Sequence, residues 1–191
     1  MKKKIASLFA IMLLSAGSVQ AGEEANALVT ESQKLTKTFM EQLKGHLVEA
    51  MKSGGPIQAI EACHLMAPQV AADMAKQSGW TIGRTSLKPR NQANTPDDWE
   101  RVVLEDFEKR VQAGEGPEKL EHHAIVTENG KQVFRYMKAI MTAEKPCLTC
   151  HGSDLDAGVA KKIAELYPND QAKGYKAGTV RGAFTFRKVM D

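Results

Sequence analysis

The stretch that decides the fold is TVRGAFTFRKV, residues 179–189. Its apolar and polar side chains alternate, a pattern with period two that is typical of a β-strand with one buried face. The alternation predicts one face with the apolar side chains and an opposite face with the polar ones: Val180, Phe184 and Phe186 on the first, Thr179, Arg181, Thr185 and Arg187 on the second. We therefore predict a β-strand that packs one face against a core.

Other strands and helices precede this strand along the chain. Residues 123–127 and 132–137 read as antiparallel strands joined by a turn at Asn129-Gly130, and residues 81–87 read as a further strand. Apolar residues at helical spacing predict a helix over 24–52, ended by Gly54-Gly55, and a second helix from Pro56. Helices are also predicted over 96–112 and 155–167. The order indicates an α+β fold, with N-terminal helices packed on a small antiparallel sheet.

The N-terminus reads as a secretory signal peptide. Three lysines at 2–4 precede an apolar run over 5–16, and the small-residue pattern at 18–21 predicts cleavage after Ala21. The apolar run is shorter than the about 20 residues that a membrane span needs, although an uncleaved N-terminal anchor remains the alternative. We predict a signal peptide over residues 1–21, a single domain over 22–191, and a periplasmic protein with no stable membrane insertion after cleavage.

The charge of the chain depends on that signal peptide. The full sequence has a formal net charge of +3, but without the three signal lysines its 26 Lys and Arg fall to 23, equal to the 23 Asp and Glu. A protein that recognises nucleic acid generally presents a basic surface. Nucleic acid is therefore not an expected partner.

The motif with the most specific chemistry is Cys147-Leu148-Thr149-Cys150-His151. C-x-x-C-H is the attachment motif of a c-type haem, in which two thiols bond to the vinyl groups and the histidine binds the iron. A zinc site would need a second pair of ligands, and only one further cysteine exists. A thioredoxin-like C-x-x-C would be expected near a βαβ unit, which the pattern lacks. We predict one covalent haem c held by Cys147, Cys150 and His151.

The ligand on the other side of the iron is less clear from the pattern. Cys63 and His64 lie at opposite margins of one broad apolar stripe on the second helix. Cys63 has no cysteine partner once Cys147 and Cys150 carry haem, yet buried free cysteines are common. The residues alone leave three interpretations open. The distal iron ligand is Cys63, or it is His64, or Cys63 has a purely structural role.

Several segments resemble a family of small mono-haem c-type cytochromes with a PAS-like fold, whose haem domain also serves as a sensor domain of kinases and chemoreceptors. The resemblance rests on residues 82–86, 90–100, 135–137, 147–152 and 173–183. It implies that Cys63 is the distal iron ligand as a thiolate. Gln92 and Ala139 depart from positions where the family often has proline, which affects loop shape. Arg84 and Arg90 are candidates to bind the haem propionates, because guanidinium pairs well with carboxylate, and a structural salt bridge is the alternative for both.

These ligands predict a function. An anionic thiolate opposite His151 stabilises ferric iron and gives a lower reduction potential than His/Met ligation. We expect a low-potential one-electron carrier that works with a redox partner protein. The alternative is a haem-based redox or gas sensor that acts through a protein partner. With both axial positions filled, we do not expect an enzyme. The sequence leaves open homodimerisation through the long first helix.

Overall fold

The computed structural model describes residues 16–190, with side-chain exposure from residue 22. Residues 1–15 of the predicted signal peptide therefore lie outside the described residues. The secondary structure, in chain order, consists of α1 (Ala16–Ser78), β1 (Thr81–Thr85), α2 (Asp98–Gln112), β2 (Glu121–Glu128), β3 (Lys131–Met141), α3 (Cys147–His151), α4 (Ala157–Leu166) and β4 (Val180–Val189). Within the described residues, no helix is both long enough and apolar enough to cross a membrane.

Helix α1 consists of two helical stretches that meet at Gly54 and Gly55. Both glycines have non-helical backbone angles, and Gly55 has a φ of 70°, which a residue with a side chain rarely adopts. The predicted end of the first helix at this Gly-Gly pair is thus confirmed as a kink. The residues after Pro56 form the second stretch, which leads towards the first strand.

The four strands form one antiparallel sheet in the order β1-β4-β3-β2. The hairpin between β2 and β3 turns at Asn129 and Gly130, both with positive φ, as the sequence predicted. Strand β4 pairs with β1 on one side and with β3 on the other, so the C-terminal strand lies inside the sheet. The predicted α+β fold is confirmed.

Each face of the sheet carries its own hydrophobic core. On one face, Phe184 and Phe186 of β4 pack against α1, where Phe39 lies 5.4 Å from Phe184 between ring centroids. On the other face, α2 packs Phe107 and its neighbours over the sheet. The helix begins at Asp97, whose carboxylate accepts a hydrogen bond from the Glu100 backbone. Asp97 is therefore the capping residue, and it also completes a capping box with Glu100.

The face assignment along β4 is partly wrong. Phe184 and Phe186 share a face as predicted, but Val180 belongs to the core on the opposite face. The pairing with β3 shifts between Ile140 and Met141, so that Arg181 is an extra residue in β4. Such a bulge reverses the alternation of side chains on either side of it. As a result Arg181 lies on the same face as Phe184.

Candidate functional site

A cavity of about 470 Å³ lies on the α1 face of the sheet, a size typical of small-molecule sites. Its walls come from both stretches of α1, from β1 and the loop after it, from the end of β3, from α3 and from β4. All six site residues that the sequence predicted line this one cavity: Cys63, Arg84, Arg90, Cys147, Cys150 and His151. Residues as far apart in the chain as Cys63 and His151 are therefore brought together.

The C-x-x-C-H motif forms α3, a single helical turn, at one wall of the cavity. Cys147 and Cys150 are free thiols and both are partly exposed. Burial raises the pKa of the Cys150 thiol. His151 ends this turn, and the two thiols and the imidazole line the same cavity.

A hydrogen bond fixes the state of the His151 ring. Its Nδ1 lies 2.9 Å from the carbonyl oxygen of Ala172. A carbonyl can only accept, so Nδ1 carries the hydrogen and Nε2 keeps its lone pair. Burial, with the positive charges of Arg181 and Arg90, lowers the pKa of His151 well below its usual value. The imidazole is thus held neutral, in the tautomer that binds a metal through Nε2.

Arg90 and Asp170 form an ion pair that supports the position of the His151 ring. Asp170 accepts hydrogen bonds from Arg90 Nε at 3.1 Å and from the Ala172 backbone N–H at 2.9 Å. Arg90 Nη2 in turn donates to the carbonyl oxygens of Cys150 at 2.5 Å and Ala172 at 3.1 Å. The structure thus shows the salt bridge that was one of the two roles considered for Arg90. Asp170 was missed, because nothing in the sequence around it marks it as paired.

Cys63 lies on the second stretch of α1, and its side chain is exposed where it meets the cavity. Burial by the surrounding walls raises its thiol pKa, while the positive charges of Arg84, Arg181 and Arg90 lower it. The cavity therefore offers guanidinium groups that favour a thiolate once a metal replaces the thiol proton.

His64, the alternative ligand, lies elsewhere. It does not line the cavity, and its ring packs edge-on against Tyr167, 5.0 Å away between centroids. Its Nδ1 is buried and has no hydrogen-bond partner among the described residues. The geometry therefore favours Cys63 over His64 as the residue of this helix that a cavity ligand would meet.

Two arginines in the cavity differ from Arg90 in their ion pairing. Within residues 16–190, neither Arg84 nor Arg181 forms an ion pair. Burial, with the like charge of Arg181, lowers the pKa of Arg84 to about 10. Burial also lowers the pKa of Arg181. Two neighbouring cations without carboxylates are costly to shield from water, so this part of the cavity is suited to an anionic ligand. Arg181 was missed because the bulge in β4 was not visible in the sequence.

Comparisons with known proteins show a related fold and the family of the chain. Comparison with curated protein sequences finds no match. Among solved structures, the chain is similar to the cyanobacterial heme-protein Tll0287, with a TM-score of 0.62 and 22% sequence identity over 84% of this chain and 96% of that chain. At this identity the likeness shows a common fold. The model of the Tll0287-like family matches residues 16–188, which include every residue of the cavity, and the chain therefore belongs to the Tll0287-like family.

Proposed function

We propose that this chain is a periplasmic mono-haem c-type cytochrome that carries single electrons at low reduction potential. The observation that carries the proposal is the cavity, which collects all three cysteines of the chain together with His151. The related solved structure is described as a heme-protein, which supports the same ligand here.

The residues of the cavity fit a haem. The thiols of Cys147 and Cys150 would bond to its two vinyl groups, and His151 Nε2 is available for the iron because Nδ1 is engaged by Ala172. Arg84 and Arg181, which lack carboxylate partners, would hold the two propionates. When bound, the haem would supply reversible one-electron iron chemistry.

Cys63 would complete the coordination as a thiolate. Burial raises the pKa of the Cys63 thiol, and the positive charges of Arg84, Arg181 and Arg90 offset part of that rise. An anionic donor favours ferric over ferrous iron. No group of three or more His, Cys, Asp or Glu side chains is arranged to hold a metal ion by itself within the described residues. Two protein ligands suffice in the proposal, because the porphyrin supplies the other four donors. The filled coordination is also the reason that we propose a carrier and not an enzyme.

The remaining parts of the proposal come from the sequence. The signal-like N-terminus supports export, and covalent haem attachment takes place outside the cytoplasm. The PAS-like description follows from the resemblance to mono-haem sensor cytochromes. The four-stranded sheet with helices on both faces is compatible with that description.

The test compares wild type with Cys63→Ala and with the neighbouring control His64→Ala. Each protein is produced with haem attached, its optical and paramagnetic spectra are recorded in the ferric state, and its potential is measured by redox titration. We expect Cys63→Ala to lose the low-spin thiolate spectrum and to show a higher potential, since the anionic donor is gone. His64→Ala should keep the wild-type spectrum, because His64 faces Tyr167 and not the cavity.

Two results would contradict the proposal at different levels. A low-spin thiolate spectrum that persists in Cys63→Ala would remove Cys63 as ligand. A wild-type protein without covalent haem, judged by haem retention after denaturation, would remove the cytochrome assignment.

A sensor function is the second candidate, favoured by the position of Cys63 on α1. That helix kinks at Gly54 and Gly55, so release of Cys63 from the iron would let the second helical stretch move relative to the first. Rapid carbon monoxide binding by the reduced protein would favour this function, since it requires Cys63 to leave. Failure to bind carbon monoxide would favour simple electron transfer.

A further inference from the structure

The charges that line the cavity all have one sign. Among the residues that the structure describes, six basic side chains border it and no Asp or Glu does: Lys44, Arg84, Lys88, Arg90, Lys145 and Arg181. The chain after the predicted signal has as many acidic as basic residues, so charge is strongly segregated at this site.

Three of the six basic groups are accounted for by the site itself. Arg90 pairs with Asp170, and Arg84 and Arg181 are matched by the propionates of the proposed haem. The other three, Lys44, Lys88 and Lys145, have no role in the proposed binding of haem. We call these three residues the lysine rim.

The lysine rim lies where the cavity opens to solvent, because each residue is exposed and also borders the cavity. None of the three forms an ion pair within residues 16–190. Lys88 donates a hydrogen bond to the backbone carbonyl of Lys173 and lies over the Tyr175 ring, 4.6 Å from its centroid. Neither contact neutralises its charge. The three come from α1, from the loop after β1 and from the segment before α3, so three separate parts of the chain contribute to the rim.

We infer that the lysine rim docks an acidic surface of the redox partner protein. The inference rests on the proposed function and names the chemistry of the partner. Unpaired charges of one sign around a cleft steer a partner of opposite charge and raise its association rate by about 10-fold to 1,000-fold. Docking at the opening would bring the partner to the place where the site is most accessible. In the exchange the partner gives up one electron, and the ferric site takes it up without a proton or a bond change.

The experiment uses the holoprotein and two one-electron donors of opposite charge. Reduced flavodoxin provides an acidic protein surface, and reduced methyl viologen is a small cation. Stopped-flow reduction is measured from low to high ionic strength for wild type and for the triple variant Lys44→Gln, Lys88→Gln, Lys145→Gln.

A matched triple variant, Lys34→Gln, Lys37→Gln, Lys131→Gln, removes the same charge from exposed lysines that do not border the cavity. Comparison of the two triple variants distinguishes an effect of where the charges lie from an effect of the protein's net charge. Haem content and thermal midpoint are measured for both triple variants before the rates are compared.

At low ionic strength we expect the rim variant to be reduced by flavodoxin about tenfold or more slowly than wild type. The matched variant should stay within about twofold, and the wild-type rate should fall as salt rises. Reduction by methyl viologen should not slow in the rim variant, because a cation gains nothing from the lysines. Equal flavodoxin rates in the two triple variants would overturn the inference while leaving the cytochrome assignment intact. Absence of haem from the wild type would overturn the proposed function and the inference with it.

Discussion

The Asp170→Asn substitution tests the support of His151 most directly. The Asp170 side chain is 2% exposed and its partner Arg90 is 13% exposed, so water shields neither group well. The carboxylate accepts two hydrogen bonds from Arg90 and one from the Ala172 backbone. Asparagine has nearly the same shape but no charge, and it leaves the Arg90 guanidinium without its counterion.

Removal of one partner from a buried ion pair costs about 3–5 kcal/mol. For a domain of this size each kcal/mol lowers the thermal midpoint by about 2–4 °C, so we expect a fall of about 6–20 °C. The haem should report the change as well. Arg90 and Asp170 together hold the Ala172 carbonyl that orients His151, so the variant should show broadened or mixed ferric signals in its paramagnetic spectrum.

The assay is thermal unfolding of the holoprotein, followed by far-ultraviolet circular dichroism and by the haem absorbance. Asp154→Asn is the control, because Asp154 is exposed in the same region and forms no ion pair or side-chain hydrogen bond within the described residues. A midpoint for Asp170→Asn within about 2 °C of the control would refute the reasoning. It would mean that the ion pair contributes no more than an exposed one.

Two further predictions concern β1 and β4. Arg84→Gln and Arg181→Gln should each lower the reduction potential, because removal of a nearby positive charge favours ferric iron, and redox titration against wild type would show it. An unchanged or higher potential in both would contradict their proposed place at the haem propionates. Gly182→Ala should lower the thermal midpoint by about 2–12 °C, from an overpacking cost of about 1–3 kcal/mol, because a Cβ there would collide with a backbone carbonyl of β1. Gly45→Ala, which meets nothing on an exposed helix, should leave the midpoint unchanged or raise it, and a similar fall in both variants would contradict the collision.

Most of the fold was predictable because local patterns agree with the final structure. The Gly54-Gly55 kink, the Asn129-Gly130 hairpin and the alternation through Phe184 and Phe186 are each determined by residues close together in the chain. The reversal of faces at Arg181 was not predictable in the same way. A bulge is set by pairing between two strands, and the β3 partner residues lie about 40 positions earlier.

The candidate site also combines features that are local in the sequence with features that depend on long-range contacts. The C-x-x-C-H motif is contiguous and carries its chemistry in its spacing, so Cys147, Cys150 and His151 were predicted as site residues from sequence, and all three line the cavity. Arg90 was found, but its partner Asp170 was not, since an ion pair between residues 80 positions apart leaves no local signal. Whether an arginine meets a carboxylate of the protein or one of a ligand depends on the tertiary structure.

The choice between Cys63 and His64 shows how much tertiary structure adds to a helical pattern. Neighbouring residues on an α-helix point about 100° apart, so Cys63 and His64, at opposite margins of one apolar stripe, meet different surroundings. The stripe alone does not say which margin meets the cavity and which meets another helix. The packing of α4 against α1 decides it, because His64 contacts Tyr167 at the end of α4, and Cys63 is thereby turned to the cavity. If α1 were rotated by one residue about its axis, the same sequence would present an imidazole in place of a thiol, and the expected reduction potential would be higher. The rotation of this helix, fixed by α4, is therefore the structural feature on which the proposed low potential depends.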